Sequence, residues 1–237
     1  HIHPVVPVSV FDGCMVTTHN GAAAARLHAA LGAADSSDRL QAALTAGTYP
    51  EPEYLEVLVA RCADESDFGV REMLTWSLTR QPAALTVPRL VAEVRAPTAQ
   101  ARSQALHTLS KIGDSRGWAA ISEVLLQDPD DDVARSAWRA AVLLVPAENA
   151  TWLAEQLATQ LGRRGREVQL SLGRAFSVLG DAALPTLERA AATGEVEARV
   201  RALVAIRLIA DPDEGYESAL FESRRLVERE GSAEPSQ

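Results

Sequence analysis

The feature that most constrains this chain is a period. Arg39, Arg71, Arg102, Arg135, Gln169 and Arg201 recur at intervals of 32, 31, 33, 34 and 32 residues, each near the start of a helix-like run. Self-similarity at this length belongs to stacked helical repeats, where no unit buries its apolar face alone and neighbours complete the core. The period predicts an all-α chain, an α-α superhelix of about six helical-hairpin repeats.

Within each period the apolar positions follow a helix. Ala101, Ala105, Leu109 and Ile112 fall on one stripe, and Gly113 closes the run as a C-terminal glycine. The same stripe reads Val70, Leu74 and Leu78; then Ala134, Trp138 and Val142; then Val168, Leu172 and Phe176; then Val200, Val204 and Leu208. In the earliest unit it reads Asp38, Ala42 and Ala46, a departure that suits a terminal repeat with one face toward solvent. Partner helices are predicted over 52–63, 86–95, from Ser115 or Gly117 to Asp128, over 151–161 and over 183–192, with a charge-rich cap from about Tyr216 to Glu230. Pro82, Pro97, Pro129, Pro146 and Pro212 punctuate the helix ends.

Three segments follow from this pattern. Residues 1–20 read as a flexible leader of uncertain origin, 21–230 as a single repeat array with capping helices, and 231–237 as a disordered tail. The leader lacks a basic n-region and a small-residue cleavage site, and no run approaches the roughly 18 apolar residues of a membrane span. Cys14 and Cys62 have no paired spacing, which suits a reducing cytoplasm. The net charge of −9 disfavours general nucleic-acid binding, because phosphate neutralisation needs a basic surplus. Lys111 is the only lysine, and the arginine and alanine bias fits a GC-rich bacterial genome.

The stretches Asp67-Phe68-Gly69-Val70-Arg71 and Leu109-Ser110-Lys111-Ile112-Gly113 resemble the HEAT-repeat family in its short bacterial form, whose second helix opens with Asp-x-x-Val-Arg and ends with Leu-x-x-Ile-Gly. Asp130 to Arg135 and Glu197 to Arg201 are variants, and the likeness covers about residues 35–212. It implies a HEAT/armadillo-like solenoid that serves as a scaffold or protein–protein interaction surface, with the arginine-bearing helices lining the concave side.

The arginine row Arg39, Arg71, Arg102, Arg135 and Arg201 reads first as a structural ladder. Asp35 and Arg39, Asp67 and Arg71, Asp131 and Arg135 stand four apart, acid before base, the spacing of helix-stabilising pairs. Positions counted from that row give the binding candidates on the concave face: Glu72, Trp76, Gln104, His107, Arg139 and Arg174. Trp76, His107 and Arg174 occupy one equivalent position in three units, and Trp and Arg are common binding anchors. Arg163, Arg164 and Arg166 on a Gly-flanked loop form a second candidate, for an anion or an acidic partner.

Two function classes remain open. The first is a non-catalytic cytoplasmic module that holds a protein or peptide on the concave face, without metal or cofactor. The second is a groove-binding nucleic-acid enzyme or a small-molecule-binding regulatory protein. Some alkylpurine DNA glycosylases resemble this architecture and use Asp with Trp and Arg in a cleft; Trp76, Trp138, Asp114 and Arg139 are the residues of those types here. Bilin lyases are another relative of short HEAT proteins. No zinc-protease, phosphate-loop or Ser-hydrolase motif is present, so no catalytic residue is assigned.

Overall fold

The computed structural model describes residues 16–233, which form thirteen α-helices and no strand. They divide into two compact units, one ending at Pro82 and one beginning at Ala83.

The first unit holds α1 (Val16–Leu31), α2 (Ser36–Thr48), α3 (Leu55–Asp64) and α4 (Phe68–Thr79), with a 3-10 turn at Pro52–Tyr54 leading into α3. α2 and α4 pack side by side, while α1 backs α2 and α3 backs α4. Asp35 and Asp67 start α2 and α4 by accepting the Ser37 and Val70 N–H groups. Such N-caps satisfy donors that the helix itself leaves open. Leu27, Leu31, Ala43, Leu58, Val70, Leu74 and Leu78 are buried in the resulting core.

The second unit repeats the hairpin. α6 (Ala99–Ile112), α8 (Asp131–Leu144), α10 (Arg166–Leu179) and α12 (Val196–Ala210) pack successively against one another as one row. α5 (Ala83–Glu93), the four-residue α7 (Glu123–Leu126), α9 (Ala150–Ala158) and α11 (Leu184–Thr193) back that row, and α13 (Tyr216–Ala233) packs on α12. Trp138 and Phe176 on the predicted stripes are fully buried. Cutting either to alanine would cost about 3–5 kcal/mol. Gly113 adopts φ 69°, the left-handed end that the sequence predicts for α6.

Two local expectations change. The helix predicted from Ser115 or Gly117 to Asp128 is instead a 3-10 segment, Ser115–Ala120, followed by α7. Ile121 and Ser122 are extended, and the Ser122 hydroxyl caps a new helix start by accepting the Leu125 N–H. α5 begins at Ala83 rather than 86, which places Pro88 inside it. Proline offers no N–H to the turn before it, and Ala84, whose carbonyl would accept that bond, is exposed to water. Of the predicted leader, residues 1–15 lie outside the described residues and Val16–Asn20 belong to α1. In the predicted tail α13 continues to Ala233, and 234–237 lie outside the described residues.

Candidate functional site

The repeated arginines act on the bends before their own helices. Nη1 of Arg39 donates to the Ala33 and Ala34 carbonyls, Nη1 of Arg71 to those of Glu65 and Ser66, and Nη1 of Arg102 to those of Ala96 and Pro97. In all three the acceptors lie six and five residues upstream. Gln169 repeats half of this, its amide donating to the Arg163 carbonyl. The aspartates four residues upstream, expected as ion partners, serve at Asp35 and Asp67 as helix caps instead. A second, charge-pairing contact reaches toward the next repeat. Arg39 grips Glu65 through Nε and Nη2 at 2.8 Å, and Arg102 Nε lies 3.3 Å from Asp128. Glu65 and Asp128 also accept the N–H groups of Asp67 and Asp130, fixing the loop before the following helix.

Two row members differ. Arg135 Nη1 lies 3.6 Å from Asp132, and the Pro129 carbonyl six residues before it is held by Arg163. Arg201 donates to the Tyr216 hydroxyl at the start of α13.

The binding candidates of the second unit gather on the face of α6, α8 and α10. Ser103 and Ser136 share a 2.9 Å hydrogen bond across α6 and α8, and one turn on His107 Nδ1 lies 3.3 Å from Arg139 Nη1. Gln104 is buried beneath them. Arg174 occupies the matching level of α10 and is exposed. Four residues past each of these basic groups come Lys111, Leu143 and Val178, all exposed. Residues four apart share a helix face, so three adjacent helices carry a basic level and then a second level of one lysine and two apolar residues. Continuing the count from the arginine row by one further turn would have found that second level.

In the first unit Glu72 is half-buried on α4 and Trp76 lies across α2. A Cβ built on Gly47 would sit 2.3 Å from Trp76 Cζ3, so the indole packs directly on the glycine backbone. Trp76 as a residue is 38% exposed, enough to cover a seam and still offer an edge. A separate open groove of about 410 Å³ lies between α1 and α2, with Leu27, Ala46, Tyr49 and Tyr54 in its wall.

The arginine loop is largely engaged. Arg163 pairs with Asp131 at 2.6 Å, donates to the Asp128 and Pro129 carbonyls at 2.8 and 3.0 Å, and lies 5.9 Å from the Trp138 ring centre. Arg166 pairs with Glu217 at 2.9 Å. An anion would therefore meet Arg164, which is exposed, rather than three open guanidinium groups.

Two of the four residues that would serve the glycosylase alternative, Trp138 and Asp114, have structural duties. Trp138 is fully buried and donates Nε1–H to the Leu126 carbonyl at 2.8 Å. Asp114 caps the 3-10 segment and chelates Arg116, whose hydrogen bonds hold its carboxyl down at about 2. Among the described residues no group of three or more His, Cys, Asp or Glu is placed to hold a metal, and no helix is long and apolar enough to cross a membrane.

No known protein-family profile matches the chain. No curated protein matches it either. Among solved structures it is similar to an engineered protein, at 18% identity over 87% of this chain and 97% of that one, with a TM-score of 0.46. It is also similar to the CpcE–CpcF complex of phycocyanin lyase from Nostoc sp., at 18% identity over 98% and 95% with a TM-score of 0.45. Human deoxyhypusine hydroxylase in complex with glycerol gives 17% identity over 94% and 100%, with a TM-score of 0.43.

Proposed function

We propose that this chain is a non-catalytic binding module of the HEAT-repeat type that holds a protein or peptide partner on the α6–α8–α10 face. The observation that carries the reading is the register of that face. His107 and Arg139 meet across α6 and α8, and Arg174 on α10 stands within one residue of the same register, with exposed Leu143 and Val178 one turn beyond. Exposed apolar side chains beside arginines are the ingredients of a recognition surface, an apolar centre with anchoring cations. The linkers before α6 and α8 are tied up by intrachain hydrogen bonds from Arg102 and Arg163, which serve the fold.

A photo-crosslinking amino acid placed at Val178 tests this, with the same group at exposed Val124 on α7 as the comparison. The expected result in native lysate is a defined protein adduct from position 178 that is absent from 124 and is lost in an Arg139→Ala, Arg174→Ala background. Equal adducts from both positions, or an adduct from 124 alone, would remove the face from consideration.

A further inference from the structure

Charge on the row of α6, α8, α10 and α12 is segregated along the helices. The whole chain carries −9, yet every Asp and Glu in these four helices lies in a first turn: Asp131 and Asp132, Glu167, Glu197, and none in α6. Beyond the first turn all ionisable residues are basic. Several of them are engaged: Arg102 with its linker and Asp128, Arg201 with Tyr216, Arg207 with Glu214. Lys111, Arg139 and Arg174 are exposed and form no ion pair with an acid among the described residues, and His107 faces Arg139. An acidic protein has thus kept one helix face cationic over three neighbouring repeats. Interspersed charges of both signs would serve solubility equally well, so the segregation calls for a complementary ligand.

Resting on the binding role proposed above, we infer that this face takes an acidic peptide segment in polyproline-II conformation, with a carboxylate at every third residue and small apolar residues between. The spacing follows from helix packing. Neighbouring helices lie about 8–10 Å apart. A polyproline-II chain advances about 9 Å in three residues and returns its side chain to the same edge. One carboxylate then sits on Arg139, which His107 flanks, and the next on Arg174 of the neighbouring helix. The intervening apolar side chains meet Leu143 and Val178. A nucleic acid fits less well, because its unbroken line of phosphates would run against the first-turn acids Asp131, Asp132, Glu167 and Glu197 that border the face.

The test is fluorescence anisotropy with the full chain and a fluorescein-labelled (Glu-Pro-Val)4 peptide, set against (Gln-Pro-Val)4 and a twelve-nucleotide thymidine strand. Binding of the Glu peptide is expected to be at least about tenfold tighter than that of the Gln peptide, and to weaken as salt rises from about 50 to 200 mM. Arg139→Gln with Arg174→Gln should weaken it about tenfold at unchanged helical circular dichroism and Tm, whereas Arg224→Gln, on exposed α13 surface, should not. Equal binding of the two peptides, absence of binding, an equal loss in Arg224→Gln, or tighter binding of the thymidine strand would overturn the inference. A Val178 adduct that excess Glu peptide fails to displace would also overturn it while leaving the broader binding role standing. Absence of any adduct together with Glu-peptide binding would instead count against a protein partner and for the acidic-peptide chemistry.

Discussion

The Arg39 guanidinium holds the Glu65 carboxylate with both arms, Nε and Nη2 each donating over 2.8 Å, and Glu65 has no exposed surface. The same carboxylate accepts from Arg61 and from the Asp67 N–H. Glu65→Ala leaves buried Arg39 without its counter-charge, and breaking such a pair costs about 3–5 kcal/mol. Glu65→Gln retains an acceptor for the Asp67 N–H and should cost less, about 1–3 kcal/mol. Urea unfolding of both variants measures this. A loss below about 1 kcal/mol in Glu65→Ala would mean that the pair contributes little to the first unit.

Acid should weaken the same contact. Burial pushes the Glu65 carboxyl up, but hydrogen bonds from Arg39, the Asp67 N–H and Arg61 outweigh it and hold the group down at about 2. A carboxyl depressed on folding contributes its full stability above its unfolded value, about 4.3, and loses it as pH falls toward the folded value. The urea midpoint is expected to be level from pH 7 to about 5 and to fall between about 4.5 and 2. Glu65→Gln should flatten that fall. A wild-type slope identical to that of the variant would assign the acid sensitivity to other carboxylates.

Adjacent arginines should behave differently. Arg163 is half-buried and holds Asp131, two carbonyls and the Trp138 ring, whereas Arg164 is exposed. Arg163→Ala is expected to lower stability by about 1–3 kcal/mol through the two carbonyls left without a donor, and Arg164→Ala by no more than about 0.5 kcal/mol. Thermal unfolding of the pair decides. Equal effects would show that the loop tolerates loss of the Arg163 contacts.

Gly47 leaves no room for a methyl group. Its Cβ would lie 2.3 Å from Trp76 Cζ3 and 2.9 Å from Ser77 Cα, the second being backbone. Gly47→Ala should cost about 1–3 kcal/mol by overpacking. Trp76→Ala removes one clash and leaves the other, so the double variant should recover only part of the loss. A double-mutant cycle reads the coupling directly, and strict additivity would contradict the close approach.

The stripes of the repeat were legible because they are periodic. Ala101, Ala105 and Leu109, like Val70, Leu74 and Leu78, are buried as spacing alone implies, while Asp38 at the equivalent of Val70 is exposed. The arginine partners were not legible. An acid four residues away is an obvious candidate on a helix, but the acceptors used are carbonyls in an irregular bend, and every residue type carries a carbonyl. The break at Ile121–Ser122 was hidden for a similar reason. Trp118, Ile121, Val124 and Leu125 keep a helical spacing, yet Val124 is exposed and the Ser122 cap decides the local geometry. Trp76, His107 and Arg174 could be aligned by counting along the sequence. That Arg139 reaches His107 depends on how α6 and α8 stack, which no single helix encodes.

The bend before a helix is usually fixed by what the rest of the protein presses against it. Here Arg39, Arg71 and Arg102 each fasten their own bend with their own side chain, so the turn and the helix after it travel as one piece. A segment of that kind can be copied, deleted or moved along the chain without renegotiating its corner. Adding or removing such a segment changes the number of helices in the row while leaving that segment's own corner intact.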